Sequence, residues 1–469
     1  MPKLSDPSNR RRPLGPFVLA MLMFGITTTL HGLSPLATYG LGSLFYLLVA
    51  VAGFLIPAGL VAAELATGWP HEGGVYIWVS EAFGKDWGFV ATWLQWQQNL
   101  IFWTVILTGS ASMLAIGFGD AALAASKPYT VAVVVGTIWL TTWVTARGLH
   151  ATGKIGILGS LVGTALPGGL LVALALYHVL RGEHSYLSLD WHTLLPDLSQ
   201  PGNLSFGIST IMIFAGVELM GARANEVHRP EKNYPRASFL AIGLTVLLLV
   251  PATLSISVLV PDSELNIAAG LVQAVRAVFA DNAALPWLAG FFALALWLDA
   301  TGEIAGWMAG TPISMARAGR DGFLPKRFSG RSGDIAPGML YAQAVVGSLI
   351  CLFFIVVPGV QSTFWLLSAL LVQLYVGMYL LLFLAAWRLR KTHPERPRPY
   401  RVPGGNLGMA LSCVVGLAAC VAVFVFGFFR PTSLTQISEA HYLLVLSVAL
   451  ALSVACPLAL IWRRRWRAA

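Results

Sequence analysis

The chain has 469 residues, 57% of them hydrophobic and only 11% charged, with a formal net charge of +9 and a mean hydropathy of +0.72. That balance excludes an ordinary soluble domain and points to a polytopic membrane protein. It does not point to nucleic acid, because the basic residues fall into separate short loops rather than one patch.

In chain order, a basic head over residues 1–14 carries Arg10-Arg11-Arg12 and precedes a span too long and too polar for a cleaved signal peptide. About twelve stretches then approach the roughly 20 apolar residues that a bilayer-crossing helix requires. They are residues 16–39, 43–66, 87–117, 129–146, 155–180, 205–225, 237–260, 285–315, 339–357, 363–387, 407–429 and 442–461, which predicts an all-α fold. Two shorter helices, 75–83 and an amphipathic 267–279, are expected at the membrane surface. Cys351, Cys413, Cys420 and Cys456 lie in apolar runs without paired spacing, so neither disulfides nor a metal site is expected.

The loops predict the orientation. With the N-terminus inside, 26 of the 30 Lys and Arg fall in inner segments; only Lys127, Arg181, Arg276 and Arg430 do not. The positive-inside rule then places both termini in the cytoplasm.

Two spans are interrupted. In the first, Thr28, Thr29, Leu30, His31 and Gly32 are followed by Ser34-Pro35, and Gly and Pro there oppose a continuous helix. In the sixth, Phe214, Ala215, Gly216, Val217 and Glu218 put a glycine and a carboxylate deep in an apolar run, an expensive placement in lipid. Irregular backbone at that depth is tolerated where it lines a cavity or is buried in protein. Breaks in spans one and six are the pointer to an inverted five-plus-five repeat and to a transporter's binding site. There, freed amides at Thr28–Gly32 are expected to receive a substrate carboxylate, and carbonyls of Phe214–Val217 an amine. The plainer alternative is a pair of helix kinks.

Four acids fall within spans: Glu64, Glu218, Asp299 and Glu303. Glu64 sits near a span end, where a loop contact suffices to explain it. Asp299 and Glu303 are four apart and share a helix face. Two carboxylates that close repel, which favours a bound proton or cation and makes them, with Glu218, the proton-coupling candidates. A satisfied pair in a helix interface is the ordinary alternative.

An ordered set of motifs runs nearly end to end. It comprises Leu36-Ala37-Thr38-Tyr39-Gly40, the run from Ile56 to Thr67, Glu72-Gly73-Gly74-Val75, Trp78-Val79-Ser80 and Trp87-Gly88-Phe89. Further on come Gly216-Val217-Glu218, Asn225-Glu226, Asn233-Tyr234-Pro235, Glu303-Ile304-Ala305 with Trp307, the run from Met315 to Pro325, and Pro403-Gly404-Gly405. In these the chain resembles the amino acid–polyamine–organocation transporter superfamily, and within it the bacterial glutamate/GABA antiporters.

The resemblance implies a leucine-transporter-like architecture. Residues 15–182 would form the first repeat, 203–390 the second, and 403–469 two peripheral helices with a short tail. It also implies that Trp96 and Gln98 line the site, with Asn99 beside them. Tyr375 and Tyr379 match paired tyrosines of the antiporters, and their i,i+4 spacing suits a gate with hydroxyl donors; a core aromatic stripe is the alternative. There are departures. His31 stands where the relatives have tyrosine, Asp299 is an acid where they have none, and the sequence stops soon after Arg463-Arg464-Arg465-Trp466, so a C-terminal plug is not expected.

The expected function is alternating-access transport of an amino acid across a cytoplasmic membrane, by antiport or with a proton as coupling ion. Proton-coupled uptake of a polyamine or other organic cation is the second reading. A nutrient sensor is disfavoured by the short inner loops. No metal-ligand spacing, nucleophile elbow or phosphate loop suggests an enzyme, and no cofactor is expected.

Overall fold

The computed structural model describes residues 16–71, 73–195, 213–219, 227, 229–266, 268–279, 286–330, 336–431, 434 and 436–468. They are almost entirely helical. Ten helices among them are long and apolar enough to cross a membrane, where twelve spans were expected. The first expected span is divided into α1 (Pro16–Thr27) and α2 (Leu33–Ala37). Most of the sixth lies outside the described residues, which retain only 213–219 of it.

The remaining elements follow the apolar runs. They are α3 (Gly42–Gly68), α4 (Val75–Phe83), α5 (Lys85–Gly117), α6 (Lys127–Ala146) and α7 (Leu149–Leu158). A π-helical turn, Gly159–Ala165, leads into α8 (Leu166–Leu180). Then come α9 (Pro230–Leu259), α10 (Gly270–Val278), α11 (Pro286–Arg320) and α12 (Pro337–Ile350). The chain closes with α13 (Val360–Thr392), α14 (Gly405–Phe426) and α15 (Glu439–Ala468). Several helices outrun their apolar stretch: α13 continues through Arg388, Arg390 and Lys391, since a helix ladder persists into water and cations favour its C-terminal end.

Burial separates centre from rim. In α5, 83% of the most apolar window is enclosed, against 22% in α15. α5 lies against both α11 and α13, and α1 lies along α9. On α15, Leu444, Leu452 and Leu458 are exposed, an apolar surface suited to lipid contact. Near its end Trp462 and Trp466 stack, 6.4 Å between ring centres, as aromatic residues do at a membrane interface.

One crossing is unusually close. A Cβ on Gly302 of α11 would stand 2.8 Å from the Ile155 carbonyl and 3.3 Å from the Cα atoms of Gly156 and Gly159. Small residues let two helix backbones approach in this way, and the crossing sets the position of Asp299 and Glu303.

Charged ties gather at the end that carries the basic loops. Glu64, buried, meets Arg390, accepts from the Val402 amide at 2.8 Å and pairs with Arg398 at 3.3 Å. Asp321 accepts from Tyr76 at 2.6 Å and Lys85 at 2.9 Å. Asp86 pairs with Arg464 and Arg465 of α15.

Candidate functional site

The backbone of α1 leaves its ladder where the sequence turns polar. Thr28 still donates its amide to the Phe24 carbonyl (2.9 Å), and the next closure is Leu33 to the Leu30 carbonyl (3.1 Å). Pro35 falls in the first turn of α2, where a missing amide costs no hydrogen bond. Across this break the side chains diverge. Thr28 shares a hydrogen bond with Thr245 of α9 (2.7 Å) and Leu30 is buried in the core, while Thr29, His31 and Gly32 line a cavity.

The second interruption meets the first. A Cβ on Gly32 would lie 3.1 Å from Ile213 Cδ1, so the two irregular segments are in contact. Gly216 has φ +116°, a conformation natural to glycine, and donates its amide to the Tyr379 hydroxyl at 3.1 Å. The Gly216 carbonyl accepts from Leu219 (3.0 Å) and the Val217 carbonyl from the Tyr234 hydroxyl (3.3 Å). Among the described residues, the carbonyls of Phe214 and Ala215 carry no such bond.

Glu218 does not line the cavity. It is buried and accepts three hydrogen bonds: from Gln95 Nε2 (2.9 Å), from Tyr375 (2.7 Å) and from Tyr379. The carboxylate therefore pins the interrupted segment to α5 and α13. The phenol hydrogens of Tyr375 and Tyr379 are committed to it. What Tyr375 offers the cavity is its ring; Tyr379 is buried beyond it.

The cavity measures about 160 Å³, the size that holds one benzene-sized molecule (about 150 Å³ in an engineered case). Its polar wall is built from Thr29, His31, Gln98, Glu303 and Trp307. Thr29 Oγ1, both ring nitrogens of His31, Gln98 Nε2 and Glu303 Oε2 are buried with no hydrogen-bond partner, and Trp307 Nε1 approaches the Glu303 carboxyl without hydrogen-bond geometry. The Leu296 carbonyl approaches the His31 ring without hydrogen-bond geometry. Buried polar atoms are almost always partnered, so such a convergence around one space describes a ligand or water site. Among the described residues no Lys or Arg lines it.

Asp299 stands one turn from Glu303 and off the cavity. Its Oδ1 accepts from Thr164 at 2.5 Å while Oδ2 has no partner, and it packs against Gly163 in the π-helical turn. Trp96 and Phe214 are also buried away from the cavity. Of the amides on α5, only Gln98 reaches it: Gln95 serves Glu218, Gln97 donates to Ser453 (2.8 Å) and Asn99 to Thr311 (3.0 Å).

Sequence reasoning missed much of the lining. Phe102 lies one turn beyond Gln98 on α5, and Trp307 one turn beyond Glu303 on α11; helical spacing from those two residues would have found both. Phe364, Ser368, Leu371 and Val372 trace the same face of α13 back from Tyr375. Pro431 and Tyr442 carried no signal, because the last two helices were expected at the periphery.

Comparison with known proteins gives this geometry a family. The amino acid permease model matches residues 14–451. An uncharacterized transporter of Legionella pneumophila is 32% identical over 91% of this chain and 92% of its own length. A glutamate/gamma-aminobutyrate antiporter of Lactococcus lactis is 26% identical over 93% of this chain and 88% of its own. A probable agmatine/putrescine antiporter of the same species is 24% identical over 86% of each. Matched along nearly its whole length, the chain belongs to the amino acid permease family.

Proposed function

We propose that the protein carries amino acids or related amines across the cytoplasmic membrane by alternating access, with both termini inside. Residues 15–182 and 203–390 act as inverted repeats around the cavity, and residues 403–469 flank them. The observation that carries this reading is the cavity itself, placed where two interrupted segments touch and ringed by polar atoms without protein partners. Backbone around Thr29–Gly32 receives the substrate carboxylate where one is present, and the Ala215 carbonyl with Glu303 receives the ammonium.

Glu303 and Asp299 are the proton-coupling acids of this proposal. A buried carboxylate facing no cation is costly, and each has an oxygen with no partner, so each holds a proton or a cationic ligand. Glu218 has its donors already and serves as the anchor of the broken segment. The lining acid, with no Lys or Arg in the lining among the described residues, favours a second reading in which the cargo is an organic cation such as a polyamine. The relatives, a glutamate/gamma-aminobutyrate antiporter and a probable agmatine/putrescine antiporter, support exchange as the mode.

Proteoliposomes test this directly. Vesicles preloaded with unlabelled amino acids or amines should accumulate labelled ones by exchange, and a proton gradient alone should drive uptake if coupling is symport. A protein that moves no amino acid and no amine under either condition is not a transporter of this kind.

A further inference from the structure

His31 is buried in the cavity wall with both ring nitrogens unpartnered. Packing, not hydrogen bonding, holds the ring where three helices meet. A Cβ on Gly109 of α5 would stand 3.9 Å from His31 Nδ1 and 3.8 Å from Phe364 Cε2 of α13. The Leu296 carbonyl of α11 approaches the ring without hydrogen-bond geometry. An imidazole carries an N–H donor in either charge state, so this one brings to the cavity a donor that no protein group uses.

The rest of the lining narrows what that donor meets. Glu303 is the one carboxyl there, and no Lys or Arg lines the cavity among the described residues. Glu303 lies seven residues beyond Leu296 on the same face of α11, about 10 Å further along the axis. His31 and Glu303 form no ion pair with each other, so each is open to a ligand separately. An ammonium at Glu303 meets a carboxylate already in place. A carboxylate meets only one lining group able to become a cation, the His31 ring, since amides, hydroxyls and indoles do not gain a proton near neutrality.

The surrounding elements supply no substitute. The lining phenols are committed, Tyr375 to Glu218 (2.7 Å) and Tyr442 to the Gly427 carbonyl (2.8 Å). Asp299 is held by Thr164 off the cavity, and Arg276 of α10 donates to the Ile116 carbonyl (2.6 Å). Glu439 and His441, at the start of α15, do not line the space, and Asp262 and Glu264 before α10 are exposed. On α9 the ionisable residues fall between 231 and 236, about 13 Å or more along the axis from Thr245, the partner of Thr28.

Resting on the reading of this cavity as a transport site, we infer that the His31 ring reads the substrate's carboxylate and takes a proton from the aqueous phase as that carboxylate binds. The proton adds to the free ring nitrogen and leaves when the carboxylate departs; no bond of the substrate is made or broken. With the ammonium on Glu303, a bound amino acid is matched in charge at both ends. An amine without a carboxyl binds without that proton. His31 is thereby a specificity-determining residue, and its proton is additional to any held by Glu303 or Asp299.

The test uses the purified full chain and two pairs of probes that differ only in the carboxyl: leucine with 3-methylbutylamine, and 4-aminobutyrate with propylamine. Calorimetry near neutral pH in two buffers of different ionisation enthalpy counts the protons taken up on binding. A proton lost from Glu303 to an incoming ammonium is common to both members of a pair and cancels in their difference. In at least one pair the amino acid should take up about one proton more than its amine and bind about tenfold more tightly or better. The pair that shows it tells whether the carboxylate read is next to the ammonium or distant from it. His31→Gln keeps a donor but takes no proton: it should abolish the proton difference and the tenfold preference, with amine binding within a few-fold of wild type. Should that variant fold poorly, the proton count on the unaltered protein decides the matter by itself. Equal proton uptake by both members of each pair, with exchange in proteoliposomes intact, overturns the inference and leaves the transport reading standing. Failure of all four probes to bind also overturns it, and the wider exchange assay then decides the transport reading.

Discussion

Glu218 and Glu303 are buried acids in interrupted or tightly crossed helices, and they have opposite surroundings. Glu218 accepts from Gln95, Tyr375 and Tyr379 and touches no open space. Glu303 faces the cavity with Oε2 unpartnered. A carboxylate whose lone pairs are filled by protein donors is part of the scaffold, because nothing remains for a ligand to take. One left with an unpartnered oxygen beside a cavity is held for something else. Burial alone, which is all that hydropathy reports, does not separate the two.

The largest expected effect breaks the scaffold half of this contrast. Glu218→Ala leaves three buried donors without an acceptor and frees residues 213–219 from α5 and α13. Removing one side of such a buried charged network costs about 3–5 kcal/mol. Denaturation of the detergent-solubilised protein should show that loss, and a stability within about 1 kcal/mol of wild type would mean that Glu218 is no anchor.

The cavity half predicts a smaller change. Glu303→Gln removes an acid that has no cationic partner among the described residues, so no ion pair is lost. Its stability should stay within about 1 kcal/mol of wild type or rise slightly. A loss as large as that of Glu218→Ala would show the two acids to be equivalent, and the contrast would fail.

The smallest effect lies at the basic-loop end and calibrates the other two. Burial pushes the Asp321 carboxyl up, but the hydrogen bonds from Tyr76 and Lys85 and the charges of Lys85 and Arg317 outweigh it and hold the group below its ordinary value. A carboxyl depressed in the folded state stabilises it above the unfolded value, and the contribution fades as pH falls through the folded one. The melting-temperature gap between wild type and Asp321→Asn should therefore be constant near neutrality and close as pH drops below about 4. A gap that widens on acidification would reverse the assignment.

Much of this architecture is legible in the sequence, for physical reasons. A bilayer demands long apolar runs, so α3, α5 and α13 announce themselves; glycine and proline in such a run mark the irregular stretch around Thr29–Gly32. Ion pairing of Glu64 follows from its place near a helix end. What hydropathy does not carry is the far side of each hydrogen bond. Gln95, Tyr375 and Tyr379 lie more than a hundred residues from Glu218 in the chain, so only the folded structure shows that they cage it. The same limit applies to Tyr442. An apolar helix at the end of the chain reads as lipid-facing throughout, and α15 is mostly so, yet its first turn reaches the cavity.

The most direct test of the account is ligand binding to two variants that differ only in which buried acid is neutralised, Glu303→Gln and Glu218→Gln, each checked for folding. The ligand is whichever amino acid or amine exchanges most strongly in the proteoliposome assay. Losing the charge that faces the ammonium should weaken binding to Glu303→Gln by about 30-fold or more, corresponding to about 2 kcal/mol or more for a buried charge contact. Folded Glu218→Gln should bind within a few-fold of wild type while melting at a lower temperature. Unchanged binding by Glu303→Gln, with loss confined to Glu218→Gln, would contradict the assignment of the site.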